Sequence, residues 1–456
     1  MTQSHVHSNS HRSVDLRFEL PEINTWRVFN KSVSQASFLE LIGRWETHGY
    51  RFGCVCLDDG WQASGLMGVW EPDPRRFPDV SALSSEIHAR GYALRLWMAP
   101  AQAHPGTPIY DELWPHGFLH DTKGKPSFYV GLGCYTLDIR NERARQHVFE
   151  SIQMMARIWD ADAFKVDFPP FYQPDDDFYV QRDFDLPEAD KERMIADFYG
   201  LVRDALDSVR PGLRIEAYPY CHGAAPFIDD MIAGDLVGCE RTWEALLERA
   251  QGMRDVIGDR ATIPWFEMIW GEGADHPHGG VEWHAGFLEY LAASINLEFK
   301  LEHSFLPFDY PNAAQIRCLT NRYGPRDRRM KVLVAGRRTF TVADLLEAGM
   351  HVDARTRFVV APEADTLALL HTAALHTNAI DWRGRNVLTG EPIHLRGRNE
   401  LWGGSHAVCR VEFDARAYQV YELWYEGEVT DYFDRLLPNH LDQAMTQADG
   451  LARPAD

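Results

Sequence analysis

Along the first 310 residues, short apolar runs alternate with stretches in which apolar side chains recur every three or four positions. The first pattern is that of strands buried on both faces, the second that of amphipathic helices. Ser34 caps a predicted helix carrying Phe38, Leu41, Ile42 and Trp45, and Gly49 stops it. The run Phe52 to Leu57 follows and ends in Asp58-Asp59-Gly60-Trp61. Val80, Leu83 and Ile87 mark the next helix, stopped by Gly91 before the run Tyr92 to Met98. Val148, Ile152, Met155 and Trp159 lead into Ala163 to Phe168, and a long helix from Met194 to Leu206 leads into Leu213 to Tyr218. A short helix from Pro226 to Ala233, stopped by Gly234, is expected before Leu236 to Cys239. Trp243 to Ile257 then precedes Ile263 to Ile269, and Trp283 to Ile295 precedes Leu297 to Leu301. With an opening run near Trp26 to Asn30, the count is eight strands. Eight such units predict an α/β fold closed into a (β/α)₈ TIM barrel rather than an open sheet.

After about residue 325 the texture changes to alternating runs at Arg357 to Ala361, Thr366 to His371, Ala407 to Phe413 and Tyr418 to Trp424. Turn signals at Arg383-Gly384 and Thr389-Gly390 separate them, which predicts a smaller C-terminal antiparallel β-domain. The expected organisation is a disordered tail over 1–20, the barrel over 21–324, a sandwich-like module over 325–430, and a helix (Tyr432 to Met445) with a frayed end over 431–456.

Composition narrows the partners. The 67 acidic and 46 basic side chains give a formal net charge of −21, which repels phosphate backbones and anionic lipid and argues against nucleic acid or membrane. No stretch of 18 apolar residues occurs, and Met1 to Ser13 has no apolar leader core. The seven cysteines are scattered without a CxxC pair, so neither a disulfide framework nor a zinc cluster is expected, and a reducing cytoplasm fits. His276, His278 and His284 stand in a Gly-rich stretch and read as a solvated loop, so no metal or other cofactor is expected.

In such a barrel the chemistry sits where strands end, at the carboxyl-terminal face. Asp58 and Asp59 end the second strand, Lys165 and Asp167 the fourth, and Glu216 the fifth, with His222 just beyond. Glu240 and Arg241 end the expected sixth strand. Lys165 and Asp167 are two residues apart on a strand and so point the same way, into the barrel. A buried ion pair would satisfy that spacing, and Asp-Gly after a strand is also an ordinary turn. Several carboxylates converging on one mouth is nonetheless what carboxylate-based glycoside hydrolysis needs.

Four segments carry a family resemblance: Leu57-Asp58-Asp59-Gly60-Trp61-Gln62, Gly68-Val69-Trp70 with Arg76-Phe77-Pro78, Leu96-Trp97-Met98-Ala99-Pro100, and Phe164-Lys165-Val166-Asp167-Phe168. In that order and spacing they resemble the α-galactosidase clan of glycoside hydrolases, nearest family 36 and more distantly families 27 and 31. The resemblance covers residues 22–170 well and 170–310 in outline. It implies an exo-acting, retaining α-glycosidase, α-galactosidase-like, with Asp167 as nucleophile and a covalent glycosyl-enzyme. It implies that Lys165, Asp58 and Asp59 bind sugar hydroxyls, that Trp61 and Trp97 shape the pocket, and that a glycoside or oligosaccharide is the partner. Glu216, His222 and Arg241 join them as candidate substrate-binding residues. Lys165 would hold the Asp167 carboxylate ionised.

The general acid is less direct, because the family's R-x-x-D context at strand six is missing. Glu240 fits by position and Asp235 by residue type; a strand over Leu236 to Cys239 would put Asp235 at the wrong face, which ranks Glu240 first. With a barrel expected to begin near residue 22, the N-terminal β-sandwich typical of family 36 is not expected in these residues, and the loop after strand five is reduced to Cys221-His222-Gly223-Ala224-Ala225, so galactose specificity is left open. A transglycosylase would share the intermediate, and a carbohydrate-binding relative lacking the acid would share the pocket. Homo-oligomerisation is left open.

Overall fold

The computed structural model describes residues 15–129, 132–170, 186–217 and 222–232. From there on it describes scattered positions within 252–295, then 261–264, 300–303, 306–309, 311–323, 331–334, 356–360, 366–373, 381–402 and 406–426. The chain divides into two compact units, Met1–His276 with Phe299–Leu306, and Pro277–Glu298 with Pro307–Asp456.

The first unit is the barrel. Its strands are β1 (Glu22–Asn24), β2 (Cys54–Leu57), β3 (Ala93–Met98), β4 (Ala163–Val166), β5 (Arg214–Ala217), β6 (Asp230–Ile232), β7 (Ala261–Pro264) and β8 (Lys300–His303). Each pairs in parallel with the next, and β8 closes on β1 through Glu22 opposite Glu302. Four helices are built where the periodicity placed them: Gln35–Thr47, Val80–Ala89, Glu142–Trp159 and Glu188–Val209. Ser34 caps Gln35–Thr47 through a reciprocal box with Ser37, and Phe38, Leu41, Ile42 and Trp45 are its buried stripe. Asn141 caps Glu142–Trp159, whose buried face carries Val148, Ile152, Met155 and Trp159.

Two strands lie elsewhere than the apolar runs suggest. The opening strand is Glu22–Asn24, and Trp26–Phe29 is a helical turn. Strand six is Asp230–Ile232, preceded by a turn over 225–227, so no helix runs from Pro226 to Ala233. The segment Leu236 to Cys239 lies outside the described residues. The seventh and eighth strands sit a few residues away from their runs, at Ala261–Pro264 and Lys300–His303. The cause is common to β1 and β6: their barrel-facing positions carry Glu22, Asn24 and Asp230 rather than apolar side chains, so no continuous apolar run exists to be read.

Nor is residue 15 onward a tail. Leu16–Glu19 forms a 3₁₀ turn capped by Asp15, and its Phe18 closes the amino-terminal end of the barrel against Cys54, Ala93 and Ala163. The Arg214 guanidinium lies 4.7 Å from the centre of the Phe18 ring. Asp230 meets Arg214 at 3.0 Å and also bonds Lys300, and these cations hold its carboxyl far below the ordinary range despite burial.

The second unit holds two sheets. One runs Lys331–Val334, Thr356–Val360, Val420–Glu426, Asp381–Asn386, with its first pair parallel; the other is antiparallel, Thr366–Ala373, His406–Ala415, Arg396–Trp402. Phe413 of one sheet meets Tyr421 of the other edge-on at 4.9 Å, as in a sandwich. Arg383 and Gly384 lie within a strand rather than a turn, whereas Gly390, at φ 79°, does turn the chain. The expected helix Tyr432 to Met445 lies outside the described residues.

Candidate active site

The site is assembled at the carboxyl ends of β1 to β4. Asp58, one residue past β2, is held by three neighbours. Its Oδ2 accepts from Asn24 Nδ2 at 2.9 Å and from Lys165 Nζ at 3.0 Å, while its backbone N donates to Thr25 Oγ1 at 2.9 Å. Asp58 Oδ1 accepts the backbone N–H of Asp59 at 2.8 Å. Asp59 in turn takes Gln62 Nε2 at 2.7 Å and lies 3.3 Å from Lys31 Nζ. Burial raises the Asp59 carboxyl above its ordinary value, opposed by Lys31 and Gln62.

Gly60 explains how Lys31 gets there. Its φ is +118°, and a Cβ on it would stand 2.6 Å from the Lys31 Cα. Only a glycine lets the loop after β1 lie against the turn after β2. Lys31 and Asn24 are thus site residues that motif reading did not find; the sole trace in the sequence is the glycine following the paired aspartates.

Asp167 stands one residue past β4, its backbone N donating to Met98 O at 2.8 Å. Trp97 Nε1 donates to Asp167 Oδ2 at 2.9 Å, and the backbone N of Phe168 donates to Oδ1 at 2.7 Å. Phe168 has φ 45°, in the left-handed region that a phenylalanine seldom adopts. Gln102 Nε2 holds that turn by donating to Phe168 O at 2.9 Å, and Tyr129 packs edge-on against the Phe168 ring at 5.7 Å. Local strain held in place by its surroundings is a common mark of a functional carboxylate.

Lys165 does not keep the Asp167 carboxyl low. Burial pushes Asp167 well above the ordinary carboxylate range, against the lowering effects of Lys165 and of the Trp97 hydrogen bond. Burial outweighs the nearby ammonium, and the Asp58 carboxylate paired with Lys165 raises Asp167 further.

The tryptophans divide the work. Trp97 faces the Asp167 carboxylate, whereas Trp61 donates from Nε1 to Trp97 O at 3.0 Å and packs edge-on against Trp159 of the surrounding helix at 5.3 Å. Trp61 therefore fixes Trp97 from behind rather than touching Asp167 itself. Glu216 is level with Lys165 in register and is paired with Arg95 at 3.0 Å, inside the barrel. Burial lifts Glu216 to about 7, and burial lifts Glu302 well above the carboxylate range. His222 opens a 3₁₀ turn His222–Ala224 after β5. Asp235, Glu240 and Arg241 lie outside the described residues. Strand six begins at Asp230, so Asp235 does not begin it and is not thereby placed at the amino-terminal face of the barrel.

A closed parallel barrel with aspartates and a lysine at its carboxyl-terminal mouth belongs to a recognisable class. Residues 23–210 match the model described as the Glycosyl hydrolases family 31 TIM-barrel domain. No curated protein matches the chain. Among solved structures, the α-galactosidase from Lactobacillus brevis is similar at 14% identity with a TM-score of 0.52, over 90% of this chain and 55% of that one. The GH36 α-galactosidase AgaA from Geobacillus stearothermophilus is similar at 15% identity with a TM-score of 0.52, over 90% of this chain and 56% of that one. A variant of AgaA is in complex with raffinose. At these identities the likeness is one of fold, and the chain spans little more than half the length of these relatives. None of the described helices is long and apolar enough to cross a membrane.

Proposed function

We propose that the chain is a retaining, exo-acting α-glycosidase of α-galactosidase-like type, with Asp167 as nucleophile. The observation that carries this reading is the setting of Asp167: a buried carboxylate at the end of a barrel strand, both oxygens held by N–H donors, beside the Lys165–Asp58 pair. Held in this way, the carboxylate has a fixed direction of attack on an anomeric carbon above it. Asp58, Asp59, Lys165 and Lys31 supply acceptors and donors for the hydroxyls of a terminal sugar. As substrate enters, the sugar hydroxyls share Asp58 with Lys165, and more of the ammonium's charge becomes available to ionise Asp167. A carboxyl in the segment after β6, Asp235 or Glu240, protonates the departing oxygen. Among the described residues, Cys54, Cys56, Cys134 and Cys318 form no disulfide, which suits a reducing cytoplasm.

The test is a panel of nitrophenyl α- and β-glycosides, with and without azide, on the native enzyme and Asp167→Ala. The reading expects turnover of an α-glycoside that Asp167→Ala abolishes and azide partly restores as a glycosyl azide. An Asp167→Ala enzyme with near-native turnover, or a native protein that binds the sugars without cleaving any of them, overturns it.

A further inference from the structure

Three strands distant in sequence each place a glutamate inside the barrel at one point: Glu22 on β1, Glu216 on β5 and Glu302 on β8. One carboxylate oxygen from each lies within 4.8 Å of one from each of the others. The residues are 6%, 1% and 0% exposed. Arg95 reaches Oε2 of Glu22 at 2.9 Å and Oε2 of Glu216 at 3.0 Å. That leaves Oε1 of Glu22, Oε1 of Glu216 and both oxygens of Glu302 buried with no hydrogen-bond partner.

The charges do not balance either. Glu22, Glu216, Glu302 and Asp58 bring four negative charges, and Arg95 and Lys165 bring two positive ones, so four minus two leaves two negative charges. Asp230, 3.7 Å from Arg95, does not change the sum: with Glu19, which meets Lys300 at 3.9 Å, it brings two negative charges against the two positive charges of Arg214 and Lys300. Carboxylates buried without compensation are strongly unfavourable and take up a cation or protons. A proton bridge engages two oxygens, whereas three carboxylates converging from three strands, with four oxygens lacking hydrogen-bond partners among them, match the oxygen-rich shell of a hard cation.

We propose that Glu22, Glu216 and Glu302 form a binding site for a hard divalent cation, of the Ca²⁺ or Mn²⁺ kind, in the barrel interior beside Lys165. The ion neutralises the two excess charges and ties β1, β5 and β8 together, leaving Lys165 to Asp58 and the mouth of the barrel. With Glu302 fully buried, the ion enters as the barrel closes and exchanges slowly afterwards. The site stands independently of the reaction assigned to Asp167.

The experiment is unfolding and refolding of the full chain in chelator, in Ca²⁺ and in Mn²⁺, followed by desalting, elemental analysis and thermal unfolding. One ion per chain should survive desalting, and the melting temperature should rise by about 5 °C over the chelator-refolded protein. Glu302→Gln should carry no ion and should melt alike in all three conditions. Metal-free protein after refolding in either cation, with an unchanged melting temperature, overturns the proposal and leaves protons as the compensating charge. Those measurements on the native chain decide the matter even if Glu302→Gln does not fold.

Discussion

Lys165 Nζ lies 3.0 Å from Asp58 Oδ2, and both side chains are about 95% buried in the mouth of the barrel. The pair joins β4 to the turn after β2 across the intervening strand β3, and Asn24 adds a third anchor from β1. Three strands, β1, β2 and β4, are thereby fixed relative to Asp167. Removing one charge strands the other: Lys165→Met alone and Asp58→Asn alone should each destabilise the fold by about 3 kcal/mol. The double variant should lose less than the sum of the two, because neither charge is then left unpaired. Urea unfolding of the four proteins measures the coupling, and strictly additive losses would show that the pair contributes nothing as a pair.

The indole of Trp97 stabilises the ionised form of Asp167. Trp97→Phe keeps the ring and removes the N–H donor. The Asp167 carboxyl should rise further, moving the acidic limb of the pH–rate profile to higher pH and lowering kcat/KM about tenfold at neutral pH. A profile that falls uniformly, with its acidic limb unmoved, would mean that Trp97 only shapes the pocket.

Gly60→Ala tests the loop contact that brings Lys31 to Asp59. The added methyl meets the Lys31 backbone at 2.6 Å in a conformation unfavourable to alanine, so one of the two turns must shift. The expected cost is about 2 kcal/mol in stability, together with a rise in KM as Lys31 leaves Asp59. Lys31→Ala should reproduce the change in KM without the loss of stability.

His147, on the helix Glu142–Trp159, bears on acid stability. Burial, reinforced by Arg143, lowers its pKa to about 4, so the folded chain keeps it neutral. Its contribution to stability is complete above the ordinary histidine range near 6.5 and is lost as pH falls through about 4, where unfolding takes up a proton that the fold excludes. His147→Gln should flatten the melting temperature between those limits. An unchanged slope would place the acid sensitivity elsewhere.

The limits of sequence reading follow from the barrel's charged interior. Helices announced themselves because their buried faces are apolar: Phe38 to Trp45 and Val148 to Trp159 are where their spacing puts them. β3 was legible for the same reason, as were the mouth residues in Asp58-Asp59-Gly60-Trp61 and Lys165-Val166-Asp167. β1 and β6 were not, because Glu22, Asn24 and Asp230 face inward and find their partners on distant strands. Neither Lys31 nor Asn24 belongs to a local motif; only the closed barrel brings them to the paired aspartates. The run Leu236 to Cys239 reads as a strand more readily than Asp230–Ile232 does, and yet strand six begins at Asp230.

β6 begins at Asp230, so Asp235 is the fifth residue after the strand's first and Glu240 the tenth. Of the carboxylates at the mouth, Asp58 is the fourth residue after Cys54, the first of β2, and Asp167 the fourth after Ala163, the first of β4. By that standard Asp235 is the nearer candidate, and it has the residue type that the family resemblance implies for the acid. A retaining mechanism places the acid about 5–5.5 Å from the nucleophile, across the scissile bond. Asp235→Asn should therefore slow hydrolysis of an unactivated glycoside by about 10²-fold or more while a dinitrophenyl glycoside, which departs without a proton, loses less than about tenfold. The alkaline limb of the pH profile should flatten in the same variant, and Glu240→Gln should show neither effect. If Glu240→Gln gives the leaving-group dependence and Asp235→Asn does not, the acid is Glu240, donated from farther along the segment after β6, and the assignment of Asp167 is untouched.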